Sequence, residues 1–293
     1  MQVRETGDGS KSGKVGVLLL HGLCGSPKEI KFVANGLMRS GYTVVCPELA
    51  GHGGSEADLV ATTWTDWYES AKKSLDDLAA SCETVVVGGL STGAVLSLLL
   101  AARHPDKVDA AALYSPTLWL SGRQIPWYLR LLRLIDSKWF ANLFRFPVPL
   151  HVGIKDKRIR DFIANAMSAS GGKLGASSTP GGPVLERRRL SKAVMKLLGA
   201  IAQPVLILHA REDDYAGLDN AAYLQRELAG PVDLVVLEDS YHMVTVDRQR
   251  DVVLARTADF IARIARPLVP ARAAHRLNAV RLGAPAGLEP AVA

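Results

Sequence analysis

The chain has 293 residues, 48% hydrophobic and 22% charged, with 35 Lys and Arg against 29 Asp and Glu for a net charge of +6. This is an ordinary globular make-up, with apolar material for one large core in a single α/β domain with an insertion, or in two domains. No dense Lys/Arg stripe with interleaved aromatics points to nucleic acid, and Cys24, Cys46 and Cys82 lack the spacing of a disulfide framework or zinc site, which fits a reducing cytoplasm.

The opening MQVRETGDGSKSGK has no apolar signal-peptide core, and no later apolar run is long enough to span a bilayer. KVGVLLLHG (residues 14–22) reads as a buried strand, followed by the helix SPKEIKFVANGLMRSG with a proline near its start and Gly41 at its end. YTVVCP is a second short strand, GHGGS a glycine-rich loop, and TWTDWYESAKKSLDDLAA a helix. ETVVVGG is short, β-branched and apolar, the pattern of a fully buried strand. TGAVLSLLLAARHP follows as a buried helix ending at a proline, and KVDAAALYSP is another strand.

Residues 118–189 break the alternation. They carry Trp119, Trp127, Trp139, Phe140, Phe144 and Phe146, then the Gly/Ser-rich SASGGKLGASSTPGGP, and read as a mostly helical cap with a flexible loop. The alternation resumes with QPVLILHA, a helix near residues 218–228, the strand PVDLVVLE and a last helix over 248–265. Short apolar strands alternating with helices imply an α/β fold whose mostly parallel sheet is covered on both faces. The expected division is a core of residues 1–117 and 190–266, a cap of 118–189, and a basic Ala/Arg/Pro-rich tail of 267–293.

Gly89-Leu90-Ser91-Thr92-Gly93 fits G-x-S-x-G at a strand-to-helix junction, the context in which this pattern holds a nucleophilic serine on a tight bend. A serine hydroxyl needs a base to take its proton. Of the seven histidines, His21 and His209 end or sit within buried strands, His104 precedes a helix-ending proline, and His275 is in the tail. His151 falls in the cap, and His52 in a glycine-rich turn where backbone bonding is expected. His242 follows a strand directly, at the edge where open α/β sheets assemble their sites, and is the expected base. HAREDDYAG offers Glu212, Asp213 and Asp214 as the orienting acid, one facing the sheet edge and the others water. The backbone N–H groups of Thr92 and Leu23 are the expected oxyanion donors, and Cys24 reads as a small packed residue.

LLLHGLCGSP, GHGGS, GLSTGA, ARED and SYHMVTVD fall in the order seen in α/β-hydrolases. Over residues 14–265 the set most resembles small bacterial carboxylesterases related to monoacylglycerol lipases. The resemblance implies an α/β-hydrolase fold with Ser91, Asp213 and His242 as triad and Leu23 at the oxyanion loop, without cofactor or metal. Thr92 stands where related elbows carry Leu, Met or Gln, and the amino-terminal strands look shortened.

The implied activity is hydrolysis of a small ester through an acyl-enzyme. Trp119 and Trp127 are the cap residues expected to line a site for short to medium acyl chains. Carbon–carbon bond hydrolysis and acyl transfer use the same triad and stay open. A non-catalytic ligand-binding protein of this fold would typically have lost the serine or the histidine. PWYLRLLRLIDSKWF also mixes aromatic, Leu and Arg residues as interfacial helices do, so contact with a membrane surface is a further alternative.

Overall fold

In a computed structural model, residues 13–122, 136–147, 153–169 and 178–265 are described. Six strands form one sheet: β1 (Val15–Leu20), β2 (Thr43–Val45), β3 (Thr84–Leu90), β4 (Ala110–Tyr114), β7 (Val205–Ala210) and β8 (Val232–Leu237). Their spatial order is β2-β1-β3-β4-β7-β8, and every pairing in it is parallel. The chain steps from β1 outward to β2 and then returns to place β3 on the other side of β1. That reversal sends the connections after β1 and β3 in opposite directions, the point at which open α/β sheets assemble their sites.

The period of two along each strand sorts the core into two layers. Leu18, Leu20, Val85, Val87, Leu113 and Ile207 pack one way, against α3 (Trp64–Ser81) and α4 (Thr92–Arg103). Val17, Leu19, Val86, Ala112, Leu206 and Leu208 pack the other way, against α1 (Lys31–Arg39) and α9 (Arg250–Ala265). The helix α4 is buried continuously from Thr92 to Ala101, which explains its unbroken Ala/Leu composition. The remaining core helix, α8, spans Asp219–Glu227.

Three features depart from the sequence reading. A short helix α2 (Glu56–Ala61) follows GHGGS, in a stretch to which the sequence reading assigned no element. Its signal is local, because Ser55 and Asp58 form a reciprocal capping box. Secondly, the end of the expected flexible loop is ordered. Ser178–Pro180 forms β6, antiparallel to β5 (Arg145–Pro147), and Gly181 opens the helix α7 (Gly181–Met195). The paired glycines fit their packing, since Gly182 N–H donates to Asn142 Oδ1 at 2.9 Å beside α5 (Lys138–Ala141). Thirdly, the expected cap–core junction at 189/190 falls inside α7, whose Leu190 and Val194 belong to the core. Within its run of three arginines, Arg189 pairs with the buried Glu186 at 2.7 Å.

A further helix, α6, spans Lys157–Ala169. Among the described residues no helix is long and apolar enough to cross a membrane.

Candidate active site

Ser91 sits between the last residue of β3 and the first of α4 with φ 55° and ψ −110°, in a backbone region that L-residues rarely occupy. The flanking glycines make the bend possible. A Cβ on Gly89 would lie 2.5 Å from Leu20 O, and one on Gly93 would run into Leu20 O and stand 2.6 Å from His21 O. The bend is therefore pressed against the end of β1, and only glycine permits that approach.

The loop His21–Gly25 closes over the same point. His21 is buried, with Nδ1 donating to Gly22 O at 2.9 Å and Nε2 accepting from Leu49 N–H at 3.1 Å. Burial and the nearby His52 lower its pKa to about 4, so it is a neutral anchor for the loop, the structural role expected for it. His52 likewise bonds Ala50 O at 3.0 Å and packs edge-on to His21 and Trp67. A Cβ on Gly22 would stand 3.7 Å from Ser91 Cβ, which puts the backbone of this loop beside the serine. Among the described residues the N–H groups of Leu23 and Thr92 bond no protein acceptor. The Thr92 N–H at the start of α4 and the loop that carries Leu23 both adjoin Ser91.

His242 lies in the loop after β8 and is 7% exposed. Its Nδ1 bonds Asp213 Oδ2 at 2.8 Å. The other oxygen of Asp213 accepts from Tyr215 N–H at 2.9 Å and Ala216 N–H at 2.8 Å, so this buried carboxylate is satisfied on both sides. Burial works against its charge, but His242, His209 and the bonds hold its pKa below the usual range. Asp213 and His242 are therefore brought together as expected. Ser91 Oγ bonds Thr117 Oγ1 at 3.1 Å, so Thr117 holds the hydroxyl.

Asp214 does not face water, contrary to expectation. It is 6% exposed, and its Oδ2 accepts from Gly153 N–H at 2.8 Å. Gly153 O in turn accepts from Met243 N–H at 2.7 Å, so Asp214 tethers the loop carrying His242 from a distance. Glu212 is the outward member of the trio and pairs with Lys155 at 2.8 Å. Trp119 packs edge-on to Tyr223 and donates its ring N–H to Asp219 Oδ2 at 2.7 Å, which anchors it to α8. Trp127 and His151 lie outside the described residues. Trp139 and Phe162 are each 74% exposed, so neither is a buried pocket wall. Cys24 is exposed rather than packed, and adopts φ 57°. Its surroundings desolvate the thiol enough to raise its pKa to about 11, which leaves it a poor nucleophile.

Four supporting residues escaped the sequence reading. Thr117 receives Ser91, and Tyr215 lays its ring 5.2 Å from that of His242. Asp247 is fully buried and accepts N–H bonds of 2.8–2.9 Å from Tyr241, Lys155 and Asp156, clamping the histidine loop. Glu29 accepts from Gly22 N–H at 3.0 Å under the loop after β1, and burial pushes its carboxyl up to about 7. Only Asp247 had a visible signal, as the acid closing SYHMVTVD.

Burial alone would lower the His242 pKa, but Asp213, Asp214 and Glu29 outweigh it and raise it. The acidic neighbours favour imidazolium, so the ring should titrate above the unperturbed value of about 6.5. Removing a negative charge at Asp214→Asn should move that midpoint down. A histidine-selective NMR titration of both proteins reads the sign directly. A midpoint below 6.5, or an upward move in the variant, would contradict this account.

A family model described as serine aminopeptidase, S33, matches residues 12–249. The chain is 29% identical over 262 residues to the thermostable monoacylglycerol lipase of Bacillus sp. (strain H-257), covering 87% of this chain and 93% of that one. It is 24% identical over 256 residues to a carboxylesterase of Bacillus subtilis (strain 168), covering 87% and 95%. A solved structure from work on the metagenome-derived lipolytic enzymes LipS and LipT superposes with TM-score 0.72 at 27% identity, over 85% of this chain and 94% of that one.

Proposed function

The chain belongs to the serine aminopeptidase S33 family of α/β-hydrolases, and from that premise we propose that it hydrolyses small carboxylic esters through an acyl-enzyme. One observation carries the reading. The strained Ser91 elbow lies under the loop after β1, and the paired His242 and Asp213 come from the strand ends across the same sheet edge. The names of the relatives, a monoacylglycerol lipase and a carboxylesterase, support an ester as substrate.

In this reading Ser91 Oγ leaves Thr117 and attacks the ester carbonyl carbon while its proton passes to His242 Nε2. The Leu23 and Thr92 N–H groups stabilise the oxyanion, at the N-terminus of α4 where the helix dipole helps. The tetrahedral intermediate collapses as His242 returns the proton to the departing alkoxide, leaving the acyl group on Ser91. Water then attacks with His242 again as base, releasing the acid and restoring the serine. Asp213 fixes the tautomer with Nδ1 protonated and stabilises the imidazolium of each half-reaction.

The substrates proposed are esters of short to medium acyl chains, with residues 118–189 as a cap over the site. The test is a p-nitrophenyl ester panel from acetate to dodecanoate, with a short-chain monoacylglycerol beside it. We expect turnover, with kcat/KM highest between butyrate and octanoate. It should increase with pH along a single acid limb as His242 becomes neutral. No turnover of any member by protein with native circular dichroism would overturn the reading.

A further inference from the structure

Arg187, on α7, is 7% exposed, yet no carboxylate among the described residues bonds it. Its neighbours differ: Arg188 pairs with Asp136 at 3.2 Å and Arg189 with Glu186 at 2.7 Å. A guanidinium has five N–H donors and no acceptor, and a buried charge is ordinarily paired. Here one nitrogen, NH1, donates to Thr117 O at 3.1 Å, and among the described residues it makes no other bond.

The location gives this unpaired cation its meaning. Thr117 is the residue whose hydroxyl holds Ser91 Oγ. The Arg187 charge also acts on Tyr215, whose ring lies against His242. The guanidinium therefore stands beside the partner of the serine, within about 10 Å of Ser91 Oγ by the span of one residue and two hydrogen bonds. Burial lowers its pKa to about 10, so it remains a cation at neutral pH.

We propose that Arg187 is a substrate-binding residue that receives a carboxylate, so that the preferred esters carry a second, anionic group a few bonds from the scissile carbonyl. This rests on the ester-hydrolase reading above and narrows it to half-esters and acyloxy acids. The planar fork of Arg187 has free donors for a carboxylate, and a bidentate charge-assisted pair is the strongest recognition such a site can offer. The substrate supplies the missing counter-charge, and the bond to Thr117 O sets the fork's orientation relative to Ser91.

Two matched pairs test it by pH-stat: monoethyl glutarate against ethyl pentanoate, and 4-acetoxybutanoate against butyl acetate. In wild type, kcat/KM should favour the acid over its neutral partner by at least about tenfold in one pair. Arg187→Gln should bring that ratio to about one or below, and Arg187→Lys should keep part of it. Free glutarate should inhibit competitively in wild type and far less in Arg187→Gln, while inorganic phosphate should inhibit weakly in both.

A wild type that prefers the neutral ester in both pairs overturns the proposal. So does a ratio that survives in Arg187→Gln, because a merely structural arginine would weaken all four substrates together. Tighter inhibition by phosphate overturns the carboxylate assignment. Where Arg187→Gln does not fold, the wild-type ratios and glutarate inhibition decide alone. Failure to hydrolyse any of the four esters would instead strike the ester-hydrolase reading, and calorimetric titration with glutarate then tests the anion site by itself.

Discussion

Ser91→Ala should lower ester hydrolysis by about 10⁴- to 10⁶-fold, leaving only what oriented binding and the oxyanion donors supply. The protein should otherwise stay as it is. Alanine keeps the Cβ and hence the same strained φ of 55°, and loses only one hydroxyl bond, to Thr117. Urea unfolding of the variant should therefore match wild type within about 1 kcal/mol. Ser91→Gly removes the Cβ that makes a left-handed φ costly, so it should be equally inactive yet more stable by about 1 kcal/mol. A fluorophosphonate should label wild type once, at Ser91, and neither variant. Label on Cys24, or a Ser91→Ala protein within tenfold of wild type, would end the assignment of Ser91 as nucleophile.

The elbow was legible in the sequence because its causes are local. Gly89 and Gly93 flank Ser91 since the end of β1 leaves no space for a Cβ, and that need leaves G-x-S-x-G in the chain. The strands β1, β3 and β7 were legible because burial on both faces leaves continuous apolar runs. Thr117 was not, because its place beneath Ser91 depends on the turn after β4, where Ser115 takes φ 43° in a segment with no periodic pattern. Arg187 was hidden for a related reason. A run of three arginines looks solvated until the fold buries the first and pairs the others with Asp136 and Glu186. What holds Trp119 was not legible either, since its bond to the Asp219 carboxylate depends on where α8 packs.

Asp213→Asn should lower kcat by about 10⁴-fold, the scale seen when a triad acid loses its charge and its control of the tautomer. The hydrogen bonds show why an isosteric amide fails here. Oδ1 of Asp213 accepts from Tyr215 and Ala216 N–H, while Oδ2 faces His242 Nδ1. In the variant the single amide oxygen satisfies the two backbone donors, so the NH₂ turns toward His242. Nδ1 must then accept, the ring proton moves to Nε2, and Nε2 can no longer take the proton of Ser91.

Asp214→Asn meets a different fate. Its oxygen can still accept from Gly153 N–H, so the tether to the His242 loop survives and only a neighbouring charge is lost. Turnover should fall by less than about tenfold, with the acid limb of kcat/KM moving to lower pH, because one carboxylate that favours imidazolium is gone. Steady-state kinetics of the two variants across the pH range separates these roles. If Asp214→Asn loses thousands-fold while Asp213→Asn stays active, the orienting acid is Asp214, and the bond between Asp213 and His242 serves packing alone.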